Sequence, residues 1–139
     1  MSKPLTRDLM IAENRVNALL QLCCMLDRGD SGYRYVWRVC ATMQLTIDVA
    51  SFICRNIVKD PQCGSTREIA KVLHEKGILS RDSMYALIEL ENMLEFMKRL
   101  GGPELMQYIS NTKDTISRYI MMVAHDLLRY LENLKTRYR

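Results

Sequence analysis

Residues 33–61 read YRYVWRVCATMQLTIDVASFICRNIVKDP, and this stretch decides the fold of the chain. Its apolar side chains recur at alternating spacings of three and four, which places them on one face of a helix. They are Val36, Cys40, Met43, Ile47, Ala50, Cys54 and Ile57. This is a strict heptad, the repeat with which helices pack in antiparallel bundles. Because proline disfavours helical geometry in the residue before it, we expect this helix to end at Asp60.

The segments on either side of this helix also predict helices. A similar apolar stripe runs through residues 6–28, and Gly29 is well placed to end that helix in a left-handed conformation. After the second helix, Ser65 and Glu68 have the spacing of a capping box. They predict the start of a short helix, which Gly77 should end.

Two further helices follow. Ser80 is suited to cap a helix that runs to Leu100. Asn111 or Thr112 is a candidate cap for the last long helix, and the pattern leaves open whether residues 103–110 join it. The sequence therefore predicts an all-α fold, an up-down bundle of four long helices and one short helix. We expect it to form one domain over residues 1–139.

Composition narrows the classes of function. Of the 139 residues, 48% are apolar and 26% are charged, which is typical of a globular protein. The net charge of +4 permits weak binding to polyanions but does not require it. No uninterrupted apolar run reaches the roughly 20 residues of a membrane span, and no signal-peptide pattern opens the chain. We therefore expect a cytoplasmic protein with no membrane partner.

The five cysteines do not form a C-x-x-C pair of the kind used for zinc or redox chemistry. Cys40 and Cys54 fall on the apolar stripe, where thiols act as small hydrophobic groups. Cys63 and His74 are too isolated to supply a tetrahedral set of ligands. We expect no metal and no cofactor. A disulfide is not expected in the cytosol, except in a protein from a hyperthermophile.

Three segments carry a family resemblance through their order along the chain. They are QLTIDVASFI at 44–53, REIAKVLHEKGIL at 67–79 and MYALIELEN at 84–92. In this order, over residues 36–98, the chain resembles the HepT-like toxin branch of the HEPN superfamily. The resemblance implies a HEPN-like helical bundle.

The resemblance also implies where an active site would lie. Family members carry the motif Arg-Asn-x-x-x-His-x-Tyr, in which x is any residue, on the helix that corresponds to residues 80–100. Their Arg and His, from both chains of a dimer, line a cleft that cleaves RNA without a metal. The His can move a proton from a ribose hydroxyl, and the Arg can hold the phosphate. A partner nucleotidyltransferase adenylylates the Tyr.

This chain departs from the family at each of these positions. When the family's Asn is aligned with Asn92, Glu91 takes the place of the Arg, Phe96 that of the His and Lys98 that of the Tyr. The resemblance then implies a degenerate member without catalytic residues. Such a member is expected to act by binding, as a homodimer, with a small nucleotidyltransferase as a possible partner. Adenylylation at Lys98 is not expected.

Two residues are candidates for binding. Asp48 lies between apolar positions of the second helix. It is either a remnant of the family's cleft, or a half-exposed residue that forms a hydrogen bond with the neighbouring helix or with Arg55. Lys98 could bind a phosphate, or it could pair with Glu91 or Glu95 on its own helix.

Two alternatives remain open. Arg118 and His125 are seven residues apart on the last helix and share a face, so they could form the site of a metal-independent RNase with relocated residues. Otherwise the chain could bind RNA or a nucleotide through its basic C-terminus, which holds Arg129, Lys135, Arg137 and Arg139.

Overall fold

The computed structural model of the protein describes residues 3–26 and 32–137, and it is all-helical. The helices are α1 (Lys3–Leu26), α2 (Tyr33–Ile53), α3 (Thr66–Glu75), α4 (Arg81–Met97) and α5 (Gly102–Arg137). No strand occurs within those two ranges. The predicted all-α class is therefore confirmed. The helix end expected at Gly29 lies outside the described residues.

The four long helices α1, α2, α4 and α5 form a bundle. The α1–α5 pair is antiparallel, since Glu13 of α1 meets Lys135 near the end of α5 at 3.1 Å. The α4–α5 pair is also antiparallel, since Ser83 at the start of α4 donates to the carbonyl of Met122 at 3.2 Å. The start of α2 lies beside the end of α4. These pairings alternate in direction as an up-down bundle requires.

The apolar stripe of α2 faces the core as predicted. Met43, Ala50 and Cys54 are fully buried, and Val36 and Ile57 at its two ends are half-buried. The predicted stripe of α1 is also buried throughout. The heptad spacing therefore identified the core face correctly.

The end of α2 corrects two expectations. The helix does not continue regularly to residue 59, because Cys54–Val58 form a π-helical turn, after which Lys59 takes a left-handed conformation with φ of 59°. Cys54 is not a free thiol on the stripe. It forms a disulfide with Cys63, across a Cα–Cα distance of 6.0 Å.

The start of α3 confirms the capping box. The Glu68 amide donates to the hydroxyl of Ser65 at 3.2 Å, and the Glu68 carboxylate accepts from the Ser65 amide at 3.1 Å. The end of α3 also follows the sequence, since Gly77 has a φ of 75°. Its neighbour Ile78 donates to the carbonyl of Leu73 at 2.8 Å, which closes the last turn.

The last helix is longer than its candidate caps suggested. Residues 103–110 join it, and α5 runs unbroken from Gly102 to Arg137. Thr112 donates its hydroxyl to the carbonyl of Tyr108 four residues earlier, and Asn111 accepts from Gln107. Both polar side chains are thus satisfied inside a helix and do not cap its start. The preceding helix α4 ends at Met97, three residues before the expected end.

Two segments, α1 and the continuous stretch Tyr33–Val58, are long and apolar enough to cross a membrane by length and composition. The sequence expectation had not identified them, because charged residues interrupt both. Half of the apolar window of the second segment is buried inside the bundle, as is common for core helices of globular proteins.

Candidate functional site

The α4 positions that align with the family's functional residues lie on two sides of the helix. At 3.6 residues per turn, Phe96 lies about 140° around the helix from Glu91, whereas Lys98 lies within about 20° of Glu91. Phe96 faces α5. The chain therefore does not bring the three side chains to one place, and a cleft built from them would need a second chain.

Phe96 packs against an aromatic ring of α5. Its ring centroid lies 5.0 Å from that of Tyr108, and the rings are tilted by 56°. Aromatic pairs favour such a tilted arrangement. Phe96 nevertheless remains 46% exposed. Burial, followed by the nearby carboxylate of Glu89, raises the pKa of the Tyr108 hydroxyl, so Tyr108 stays protonated at neutral pH.

Lys98 is paired on its own helix. Its Nζ lies 2.9 Å from a carboxylate oxygen of Glu95, and both side chains are more than half exposed. This is one of the two arrangements expected from the sequence. A pair this exposed contributes little to stability. Glu91, one turn before Glu95, is half-buried and adds negative charge to the same side of the helix.

Asp48 is exposed on α2, where its carboxylate accepts from the side-chain amide of Gln44 at 3.0 Å. Arg55 is not its partner. It binds the loop before α3, donating to the carbonyls of Cys63 at 2.9 Å and Gly64 at 3.0 Å. Asp48 is therefore bonded within its own helix and is not a costly buried charge.

Arg118 lines an open groove of about 500 Å³ between α4 and α5. The groove walls are Asp82, Tyr85, Ala86, Ile88, Glu89, Arg118, Tyr119 and Met122. The guanidinium of Arg118 lies 5.7 Å from the centroid of the Tyr119 ring, within the range of a cation–π contact.

His125 is exposed and is not part of this lining. It lies two turns along α5 from Arg118, about 10 Å by the rise of a helix. The two residues share a face, as their spacing predicted, with Met122 between them.

Within the described ranges, no group of three His, Cys, Asp or Glu side chains is arranged to hold a metal ion. Cys63 belongs to the disulfide. His74 bonds through Nδ1 to the carbonyl of Leu79 at 2.9 Å, and since a carbonyl only accepts, that nitrogen carries the proton.

The sequence did not single out the other groove residues. Tyr85 and Glu89 stand one turn apart on the polar side of α4, and Tyr119 follows Arg118 on α5. In the sequence, only an exposed tyrosine on the polar side of an amphipathic helix pointed to these residues. That feature does not reveal the antiparallel register of α4 and α5, which brings the groove residues together.

Comparisons of the chain with protein-family models, with curated proteins and with solved structures find no match.

Proposed function

We propose that this protein is a non-catalytic, HEPN-like helical bundle that acts by binding and forms a homodimer. A small nucleotidyltransferase of the kind associated with HepT-like proteins is the proposed partner. The proposal starts from the order of the three segments between residues 44 and 92. It draws further support from the side chains of α4.

The observation that carries the proposal is the contact between Phe96 and Tyr108. At the position where the family has a proton-transferring imidazole, this chain has an apolar ring, 5.0 Å from a second ring. Phenylalanine can neither donate nor accept a proton. The chain has only two histidines, His74 and His125, and neither belongs to α4.

The charges of α4 support the same conclusion. Glu91 stands where a guanidinium would grip the phosphate, and Glu95 neutralises Lys98. A carboxylate at the position of Glu91 cannot take over the phosphate contact that a guanidinium makes.

Sedimentation equilibrium of the purified protein tests the proposed assembly. We expect the mass of a dimer, together with co-purification of a nucleotidyltransferase that is expressed with it. A monomer at all concentrations that binds no such partner would contradict the proposal.

A relocated RNase is the second candidate, because Arg118 lies in a groove with two tyrosines. Metal-independent cleavage of RNA that is lost in Arg118→Ala and in His125→Ala would favour it.

A further inference from the structure

Most of the large apolar side chains that stay exposed lie at one end of the bundle. Among the described residues seven such side chains are exposed, and four of them stand at the start of α2, the end of α4 or the start of α5. We call these four the apolar rim: Tyr33, Trp37, Phe96 and Met106.

Direct contacts hold these three helix ends together. The hydroxyl of Tyr33 at the start of α2 lies against Gly102, the first residue of α5. Cys40 Sγ of α2 lies 3.8 Å from Met97 Sδ at the end of α4. Phe96 joins α4 to α5 through Tyr108. The apolar rim is therefore a feature of one end of the molecule.

Trp37 and Tyr33 dominate the apolar rim. They are 76% and 75% exposed and stand one turn apart on α2. Exposing so much aromatic surface to water is unfavourable in an isolated chain. Indole and phenol rings combine an apolar body with a polar N–H or O–H group, and such rings favour the boundary between hydrocarbon and water.

Charges of both signs lie beside the apolar rim. Glu95 pairs with Lys98, and Glu104 accepts a hydrogen bond from the Gly101 amide. Arg34 follows Tyr33, and Arg99 lies in the turn after α4, both exposed. Within residues 3–26 and 32–137, neither guanidinium lies in ion-pair range of a carboxylate. Each is free to bind an anionic phosphate.

We propose that this end of the bundle docks on an anionic lipid surface, where Trp37 and Tyr33 enter the headgroup region and Arg34 and Arg99 bind lipid phosphates. Docking on a lipid surface goes beyond the proposed function and does not depend on it. It also revises the expectation of no membrane partner, which concerned spanning segments only. Peripheral docking needs apolar and cationic side chains at one end of the molecule, without a span.

The arrangement favours a lipid surface over a second copy of the chain. The four rim side chains project from three helices around one end of the bundle. A fluid surface adapts to separated side chains. Pairing of the same end with a second copy about a two-fold axis would bring the unpaired arginines of both copies together, and like charges repel.

Trp37 is the only tryptophan of the chain and reports directly on docking. The full-length protein is mixed with vesicles of phosphatidylcholine and phosphatidylglycerol in equal amounts, or of phosphatidylcholine alone. With the anionic vesicles we expect a blue shift of the Trp37 emission, quenching by brominated lipid, and co-sedimentation that is lost in high salt. We expect neither a shift nor sedimentation with phosphatidylcholine alone.

Exposed substitutions separate docking from folding. Arg34→Ala should lower the partition coefficient about fivefold, the contribution of one cation near an anionic membrane surface. Trp37→Ala should abolish co-sedimentation, whereas Tyr85→Ala, an exposed aromatic residue at the opposite end of α4, should leave it unchanged. Circular dichroism confirms that each variant is folded.

Several results would overturn the proposal. They are the absence of any vesicle response, equal binding to both lipid compositions, and binding that survives Trp37→Ala. An emission shift produced by protein concentration alone would assign the apolar rim to a second copy. A shift produced by a single-stranded RNA oligonucleotide and not by vesicles would assign it to nucleic acid.

Discussion

The side chain of Asp126 on α5 accepts a hydrogen bond from the backbone amide of Ser80, with 2.9 Å between Oδ2 and N. Ser80 caps α4 by accepting from the Ser83 amide at 3.1 Å. Asp126 therefore fixes the first turn of α4 from a helix 46 residues further along the chain. Arg129 binds the other oxygen of the carboxylate. The start of α4, the helix that carries Glu91 and Phe96, is thus held by α5.

Loss of this carboxylate should destabilise the fold. Asp126 is buried, so Asp126→Ala leaves the Ser80 amide without its acceptor, and we expect a loss of about 2 kcal/mol in the free energy of unfolding. Arg129 is largely exposed, and Arg129→Ala should cost less than about 1 kcal/mol. Urea denaturation measures both. Equal effects from the two variants would show that the ion pair, and not the bond to Ser80, stabilises this junction.

The disulfide should be detectable by thiol counting. Without reductant, alkylation of the unfolded chain should modify the three free cysteines, Cys23, Cys24 and Cys40, and after reduction it should modify all five. For a sequence separation of nine residues, loss of the bond should cost roughly 2–3 kcal/mol of stability. Cys63→Ser tests this cost, and Cys24→Ser is the exposed control. Five reactive thiols before reduction would contradict the bond.

The end of α3 depends on a left-handed glycine. Gly77 has a φ of 75°, and a β-carbon there would meet no atom within 4 Å. Gly77→Ala should therefore destabilise the protein through backbone strain alone, by about 1 kcal/mol. Gly101→Ala, at a turn without positive φ, should change stability by no more than about 0.5 kcal/mol. Thermal unfolding compares the two, and similar effects would contradict the conformational explanation.

The capping box of α3 should be sensitive to acid. Hydrogen bonds from the backbone amide of Ser65, and then from its side chain, hold the pKa of Glu68 below its usual value. A carboxylate whose pKa is lower in the folded state than in the unfolded state contributes to the free energy of unfolding. This contribution is fully present above the unfolded pKa of about 4.3. That contribution is lost as the pH falls through the folded pKa.

Urea denaturation between neutral and acidic pH measures this contribution, with Glu68→Gln as the variant that cannot titrate. The stability difference between wild type and variant should shrink as the pH falls below about 4.3. A constant difference would contradict the role of the ionised carboxylate. Ser65→Ala should cost about 1 kcal/mol at neutral pH, because the Glu68 amide loses its acceptor.

Local chemistry predicted much of this fold. The heptad of α2, the capping box at Ser65 and the glycine that ends α3 each depend on residues within one or two turns, and all are present. The disulfide was not expected, and the pattern left open whether residues 103–110 join α5. The bond within the helix that satisfies Thr112 is not encoded by the apolar pattern.

The candidate site was less accessible to sequence reasoning. The residue types at Glu91, Phe96 and Lys98, on which the proposed non-catalytic role depends, can be read without any coordinates. Their surroundings could not be foreseen, because they depend on the antiparallel register of α4 and α5. The Phe96–Tyr108 contact and the groove around Arg118 both arise from that register.

Incubation of the purified protein with RNA, in the presence of a chelator, tests the central claim most directly. We predict no cleavage above that of a buffer control, and no difference between wild type, Arg118→Ala and His125→Ala. Cleavage by the wild-type chain that either single substitution abolishes would contradict a non-catalytic binding role.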